Sequence, residues 1–292
     1  MTRIVYVNGA YRPYSDAAIH AEDRGYQFAD GVYEVCEVRN GSLVDERRHM
    51  RRLRRSLSEL HMDLPMGNRS LGVILRETVR RNRVKNGVVY LQVTRGVARR
   101  DFAFPPSGTE PSIICLARSL SSSKAERKAA AGVSVITVPD IRWRRVDIKT
   151  TGLLAQSLAR QQAKEAGADE AWLVDDDGFV TEGASCNAWI VTAAGKLVTR
   201  PAGSDILRGI TREVAMEAAQ RQRLEFEERP FTVEEAKAAK EAFQTSASGI
   251  VMPVIKIDGQ PIGDGKPGGI AIALRRAYHE VAEISEPHRL LA

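Results

Sequence analysis

The hydrophobic positions of this chain change their period several times. "RIVYVNGAY", from Arg3 to Tyr11, alternates and carries Asn8-Gly9, a pair suited to a tight hairpin turn because both residues tolerate positive φ. "GVYEVCEVRNGSLV" repeats the pattern, with Val32, Val35 and Val38 as its apolar positions and Asn40-Gly41 at the turn. From His49 to Leu60 the period lengthens: Met50, Leu53, Leu57 and Leu60 mark one helical face. A second helix is expected over Ser70 to Arg81, then strands at "VVYLQVTRG" and "PSIICLAR". "SLSSSKAERKAAAG" is polar and small, breaks the β pattern, and reads as a connection between two domains.

Beyond it come a strand, "VSVITV", and the charged stretch "DIRWRRVDIK", ending at Lys149. A helix from about Leu153 to Ala166 follows, which Gly167 can cap. Hairpins are expected around Asp177-Gly178 and within "NAWIVTAAGKLVTR". A helix starting near Thr211, a short helix in "VEEAKAAKEA", a strand-like exit at "AFQTSASGIVMPV" and a final helix over 269–283 complete the chain. Many hairpins and few βαβ units give two halves of α+β class.

At 292 residues the chain can bury one large core or two modest ones. The net charge of +6 and a pI of about 9.3 invite a nucleic-acid reading. That reading rests on the arginines from Arg47 to Arg55 alone, with no aromatic-basic module beside them, so no nucleic-acid partner is expected. Cys36, Cys115 and Cys186 form no CxxC pair and imply neither a disulfide framework nor a metal site. The N-terminus lacks the apolar core of a signal peptide and no apolar run is long enough to span a bilayer, so a cytoplasmic protein without membrane contact is expected.

Neither an HExxH helix nor a GxSxG elbow occurs, which turns attention to lysines, carboxylates and helix ends in apolar settings. Lys149 sits between Ile148 and Thr150, ahead of Leu153, Leu154 and Leu158. Glu182 in "VTEGASCN" precedes small residues that permit close approach. In "LRGITREV", Gly209 and Thr211 open a helix whose free N–H groups suit a phosphate. Taken singly, these are more simply a solvated lysine, a turn-forming acid and an ordinary capped helix. Together they are the three handles that pyridoxal phosphate needs: a lysine, a partner for the pyridine nitrogen and a phosphate anchor.

"EDRGYQFADGVYEV", "HMRRLRRS", "YLQVTRG", "DIRWRRVDIKTTGLL", "VTEGASCN" and "LRGITREV", in that order, resemble the class IV, or fold-type IV, aminotransferases, and most of all their D-amino-acid branch. The resemblance covers about residues 3 to 280. It implies a small α/β N-terminal domain (1–119), a connection (120–131) and a larger α/β pseudo-barrel domain (132–292) holding Lys149 and Glu182. It makes Lys149 the Schiff-base lysine, Glu182 the partner of the pyridine nitrogen, and Arg52 the phosphate arginine. Helical geometry sets Arg52 on the flank of His49 and Ser56, with Arg51 pointing further out. Ile210 and Thr211 match the phosphate-holding helix start, and Leu207 a residue packing near the cofactor ring. Tyr33 and Arg100 match the binders of the substrate carboxylate, Arg100 reaching in from the other subunit of a homodimer.

The chain departs from the pattern in places. Phe102 stands where the D-amino-acid members carry a histidine, and Ala247 where a phosphate-binding threonine is usual, with Ser246 or Ser248 able to substitute. Ala184 and Cys186 replace serines beside Glu182. The resemblance implies ping-pong transamination of D-amino acids through a Lys149 aldimine, with 2-oxoglutarate or pyruvate as acceptor. Branched-chain L-amino-acid and (R)-amine transamination, and more remotely aminodeoxychorismate lysis, are the alternatives within the family.

Overall fold

A computed structural model describes residues 3–64 and 66–285 of the chain. They fall into two compact units. The first takes residues up to Ser121, the segment Ile148–Gly152 and residues from Glu283 onward; the second takes Ser122–Asp147 and Leu153–Ala282. Lys149, expected in the larger domain, therefore belongs by its contacts to the first unit.

The first unit is built on a six-stranded antiparallel sheet. Its strands are β1 (Ile4–Val7), β2 (Ala10–Pro13), β3 (Gly31–Arg39), β4 (Ser42–Leu43), β5 (Gly87–Thr94) and β6 (Ser112–Ser119), in the spatial order β2-β1-β6-β5-β3-β4. Both Asn-Gly turns form, with positive φ at Asn8, Gly9, Asn40 and Gly41. The short helix α1 (Arg24–Phe28) precedes β3, and α2 (Glu46–Glu59) and α3 (Asn68–Arg81) separate β4 from β5. The first of these longer helices begins three residues, and the second two, before the expected starts. Met50, Leu53 and Leu57 of α2 join Leu71, Ile74 and Leu75 of α3 over Val89, Leu91 and Val93 of β5. The core row of β3 differs from the apolar reading: Val32, Glu34, Cys36 and Val38 are buried, and Val35 lies on the other, half-exposed face.

In the second unit the polar connection is a helix, α4 (Ser122–Ala131), with only Ala129 buried. An eight-strand path follows, made of β7 (Val133–Pro139), β8 (Glu170–Val174), β9 (Val180–Gly183), β10 (Asn187–Val191), β11 (Leu197–Thr199), β12 (Phe226–Glu228), β13 (Glu241–Ser246) and β14 (Ile250–Ile257). Their order is β12-β11-β10-β13-β14-β7-β8-β9, with β15 (Gln260–Pro261) paired to β14. The expected strand-like exit is thus a hairpin of β13 and β14. The helices are α5 (Leu154–Glu165), α6 (Ile210–Arg221), α7 (Val233–Lys237) and α8 (Gly269–Val281). Among the described residues two βαβ units are present: α5 connects the parallel strands β7 and β8, and α6 connects the parallel strands β11 and β12.

This sheet has to curl. β9 closes one end of the path, yet four residues after its end the chain is in β10, five strands away in the order. Five spacings of a flat sheet measure about 24 Å, and the link from Gly183 to Asn187 reaches at most about 15 Å. The amide of Gly183 donates to the carbonyl of Cys186 at 2.7 Å inside that link. The result is the pseudo-barrel expected of the fold. Among the described residues no helix is long and apolar enough to cross a membrane.

Candidate active site

In the first unit the candidate residues gather around β3. The segment 149–151 lies antiparallel beside the start of this strand: the Tyr33 amide donates to the Lys149 carbonyl, the Thr151 amide donates to the Gly31 carbonyl, both at 3.0 Å, and Val32 pairs with Thr150. The Lys149 amide donates to the Ser56 hydroxyl at 3.3 Å. This backbone clamp sets the lysine over Tyr33, with Nζ 4.1 Å from the ring centroid. Tyr33 in turn stacks on Tyr90 at 5.4 Å. Lys149 is half-buried and has no carboxylate partner among the described residues.

Tyr33 and Glu34 point to opposite faces of β3 because side chains alternate along a strand. Arg52 meets the Glu34 side: its Nε and Nη2 donate to the two carboxylate oxygens at 2.8 and 2.7 Å, and His49 Nδ1 lies 2.7 Å from Oε2. His49, Arg52 and Ser56 are buried on one flank of α2, and Arg47, Arg51, Arg54 and Arg55 are exposed. Burial alone raises the pKa of a carboxyl group, but Arg52 and then His49 outweigh it and hold Glu34 at about 2. A group whose folded pKa is depressed stabilises the fold above its unfolded value, and loses that contribution as pH falls toward the folded one. Glu34→Gln should therefore lower the unfolding free energy at pH 7, measured by denaturant titration, by about 3–5 kcal/mol as for other broken buried pairs. It should also remove part of the stability loss that the parent shows from about pH 4.5 down to 2. Parallel stability-pH curves for parent and variant would show that Glu34 does not supply this linkage.

Arg100 stands apart, on the segment after β5. It is exposed, its guanidinium 5.1 Å from the Phe28 ring and 5.8 Å from that of Phe102.

The second unit holds Glu182, Leu207, Ile210 and Thr211 in one network. Glu182 lies in the buried strand β9, next to its end. Its carboxylate accepts from Arg142, from Asn187 Nδ2 at 2.8 Å and from the Leu207 amide, 3.2 Å from each oxygen. Arg142 also grips Asp140 (2.6 and 2.8 Å), the Thr181 hydroxyl and the Asp205 carbonyl. Burial opposes the charge on Arg142, but its bonds to Asp140 and Glu182 raise its pKa above the usual guanidinium value. The same contact, with Thr181, holds Asp140 below the usual carboxylate range against the effect of its own burial. Asn187 ties the acid to the helix start, because its Nδ2 also donates to the Leu207 carbonyl at 2.9 Å. Gly209 is needed there: a Cβ would lie 2.0 Å from Asn187 Oδ1.

Helix α6 begins after Gly209 with no side-chain cap, and the hydroxyl of Thr211, a residue only 5% exposed, has no hydrogen-bond partner among the described residues. Its first-turn N–H groups are those a helix leaves for an outside acceptor. Ser246 and Ser248 lie in and beside the β13–β14 turn, where the Gly249 amide donates to Ser246 Oγ at 3.1 Å and Ser248 is exposed.

A sequence model of the family described as amino-transferase class IV matches residues 31–257. This chain belongs to that family. It is 38% identical to the D-alanine aminotransferase of Staphylococcus haemolyticus over 279 residues, 96% of this chain and 98% of that enzyme. To the D-alanine aminotransferase of Bacillus licheniformis it is 41% identical over 264 residues, 90% and 92% of the two chains. The branched-chain aminotransferase of the archaeon Thermoproteus uzoniensis, solved with norvaline, shares the fold at a TM-score of 0.83 and 28% identity, over 96% of this chain and 94% of that one.

Class IV aminotransferases work with pyridoxal phosphate, and the residues present fit it. A buried carboxylate paired with Arg142 suits a protonated ring nitrogen, an uncapped helix start with an unpartnered hydroxyl suits a phosphate, and a lysine without an anionic partner suits the aldehyde. Glu34, Arg142 and Asn187 of this aminotransferase are site residues that no pattern in its sequence singles out. All three stood inside quoted motifs, but a charge or amide within a strand pattern reads as a solvent-facing position until its partner is known.

Proposed function

We propose that the protein transaminates D-amino acids with pyridoxal 5'-phosphate as cofactor and a 2-oxo acid, 2-oxoglutarate or pyruvate, as acceptor. The observation that carries the reading is Lys149, a half-buried lysine without a carboxylate partner, in a chain that is 38% and 41% identical to two D-alanine aminotransferases. The donor leaves as a 2-oxo acid whose carbonyl oxygen comes from water, and the acceptor takes up the amino group and returns that water. When bound, the cofactor ring supplies the electron sink for negative charge at the substrate Cα.

The protein's own groups do the rest. Lys149 would hold the cofactor between turnovers and would take up and return the proton that leaves the substrate Cα. Glu182, whose carboxylate accepts from Arg142, Asn187 and the Leu207 amide, would pair with the pyridine nitrogen. Ile210 and Thr211 would hold the phosphate with their N–H groups and hydroxyl, assisted by Ser246, Ser248 and Arg52, and Leu207 would flank the ring. Tyr33 and Arg100 receive the substrate carboxylate. Turnover of paired D- and L-amino acids by the purified holoenzyme tests the reading: D-alanine should be used and L-alanine, L-valine and L-leucine should not. Preference for the L isomers would replace it with branched-chain transamination.

Phe102 favours a second activity. It is 82% exposed beside Arg100, so an apolar surface stands where a carboxylate donor is usual. Slow turnover of (R)-1-phenylethylamine is expected. Arg100→Ala should cost D-alanine activity about 10–100-fold, the weight of a charge-assisted hydrogen bond, and leave amine turnover nearly intact. Equal losses on both substrates would make Arg100 structural.

The protein works as a homodimer in this reading. Exposed apolar side chains support it: Tyr26, Phe102 and Phe104 in the first unit, and Ile141, Leu154 and Leu158 in the second, are surface that a second copy can cover.

A further inference from the structure

We propose that Arg24 and Phe28 are positioning residues for carboxylate recognition: they hold the segment that presents Arg100 and seat its guanidinium. The inference rests on the reading that Arg100 contacts the substrate carboxylate.

Arg24 is 3% exposed and spans two elements. Its Nε donates to Asp30 Oδ2 at 2.7 Å, and its Nη1 donates to the carbonyls of Asp101 (2.6 Å) and Ala103 (3.3 Å). One planar fork thus fastens both flanks of Phe102 to a buried acid next to β3. Asp30 is held in turn, since Arg95 Nε donates to the same Oδ2 at 2.7 Å while Arg95 Nη2 donates to the Leu60 carbonyl at 2.7 Å. The segment is also pinned at its start, where the Arg24 amide donates to the Gly96 carbonyl at 2.9 Å and Asp23 pairs with Val97. Residues 97–104 are therefore a surface loop with a buried fastening.

Phe28 supplies the second part. Its ring lies 4.7 Å from the Arg24 guanidinium carbon and 5.1 Å from that of Arg100, and meets Phe102 edge-on at 5.7 Å. Arg100 is the one of these guanidinium groups that is exposed and, among the described residues, has only rings as partners. A guanidinium lying on an aromatic face keeps its N–H edge available for a carboxylate. Rings below it and carbonyl anchors on either side of Phe102 restrict where that edge can point. Such restriction strengthens binding by lowering the ordering cost.

The test uses holoenzyme with D-alanine as substrate and propionate, a carboxylate without an amine, as competitive probe. Arg24→Lys keeps a cation opposite Asp30, but a single ammonium cannot span Asp30 and the Asp101 carbonyl as the fork does. Phe28→Leu removes the ring and leaves every Arg24 hydrogen bond available. Both should raise the propionate inhibition constant and the D-alanine KM about tenfold, with the loss falling on KM and not on kcat. Arg24→Lys should also speed amide hydrogen exchange across residues 99–104. Arg100→Ala serves as the control. If it leaves propionate inhibition unchanged, the carboxylate reading of Arg100 fails. If it weakens inhibition while Phe28→Leu and Arg24→Lys do not, the positioning proposal alone fails. Should Arg24→Lys not fold, Phe28→Leu decides.

Discussion

Lys149→Ala should end multiple turnover of D-alanine, a loss of about 10⁴-fold, the upper end for a positioned proton-transfer group. The segment would stay in place, because its bonds to Tyr33, Gly31 and Ser56 run through the backbone and the lysine head touches only a ring. The melting temperature should change little. Borohydride should fix the cofactor covalently to the parent chain, in the peptide containing Lys149, and should fix none to the variant. A variant that still turns over D-alanine near the parent rate would falsify the assignment and send the search to another lysine.

The second large effect concerns Glu182→Gln. The Glu182 carboxylate accepts from three groups that only donate to it: Arg142, Asn187 Nδ2 and the Leu207 amide. An amide would turn an NH2 toward at least one of these donors and would carry no charge for a ring nitrogen. Removing such a preorganised electrostatic partner costs about 2.7–4 kcal/mol of transition-state stabilisation, or about 10²–10³-fold in rate. Cofactor should remain bound, since α6 and its open N–H groups are untouched. Stopped-flow measurement of the half-reaction with D-alanine separates the two effects. An unchanged proton-transfer rate would move the role to another residue.

The turns and amphipathic helices were the legible part of the fold. Asn-Gly pairs force positive φ, and Met50, Leu53 and Leu57 leave one face for α2 to bury. Helix α4 was hidden because its sequence carries no apolar stripe, although Ala, Lys, Glu and Arg all favour helix. Glu34 was hidden for the opposite reason. It occupies a core position in an alternating strand, and its ion pair with Arg52 depends on a residue 18 places away. The grouping of Lys149 with the first unit was also illegible, because the hydrogen bonds that lay a short segment along the open edge of β3 follow no side-chain pattern.

The contacts of the first unit also set an order of events during synthesis. Val32 and Tyr33 leave the ribosome more than a hundred residues before Lys149 and Thr150, whose backbone closes their free edge, and Ile148 belongs to the same buried core. At about 5–20 residues per second, that edge waits roughly 6–25 seconds. Asp45 waits longer: its amide donates to the Glu283 carbonyl at 2.7 Å and its carboxylate accepts from the Glu283 amide at 3.0 Å. The nascent first unit therefore carries an open strand edge until Lys149 and Thr150 have emerged, and lacks the Glu283 contacts at the start of α2 until that residue follows. A chaperone that binds exposed strand edges should find this chain early in translation and lose it once Lys149 and Thr150 have emerged.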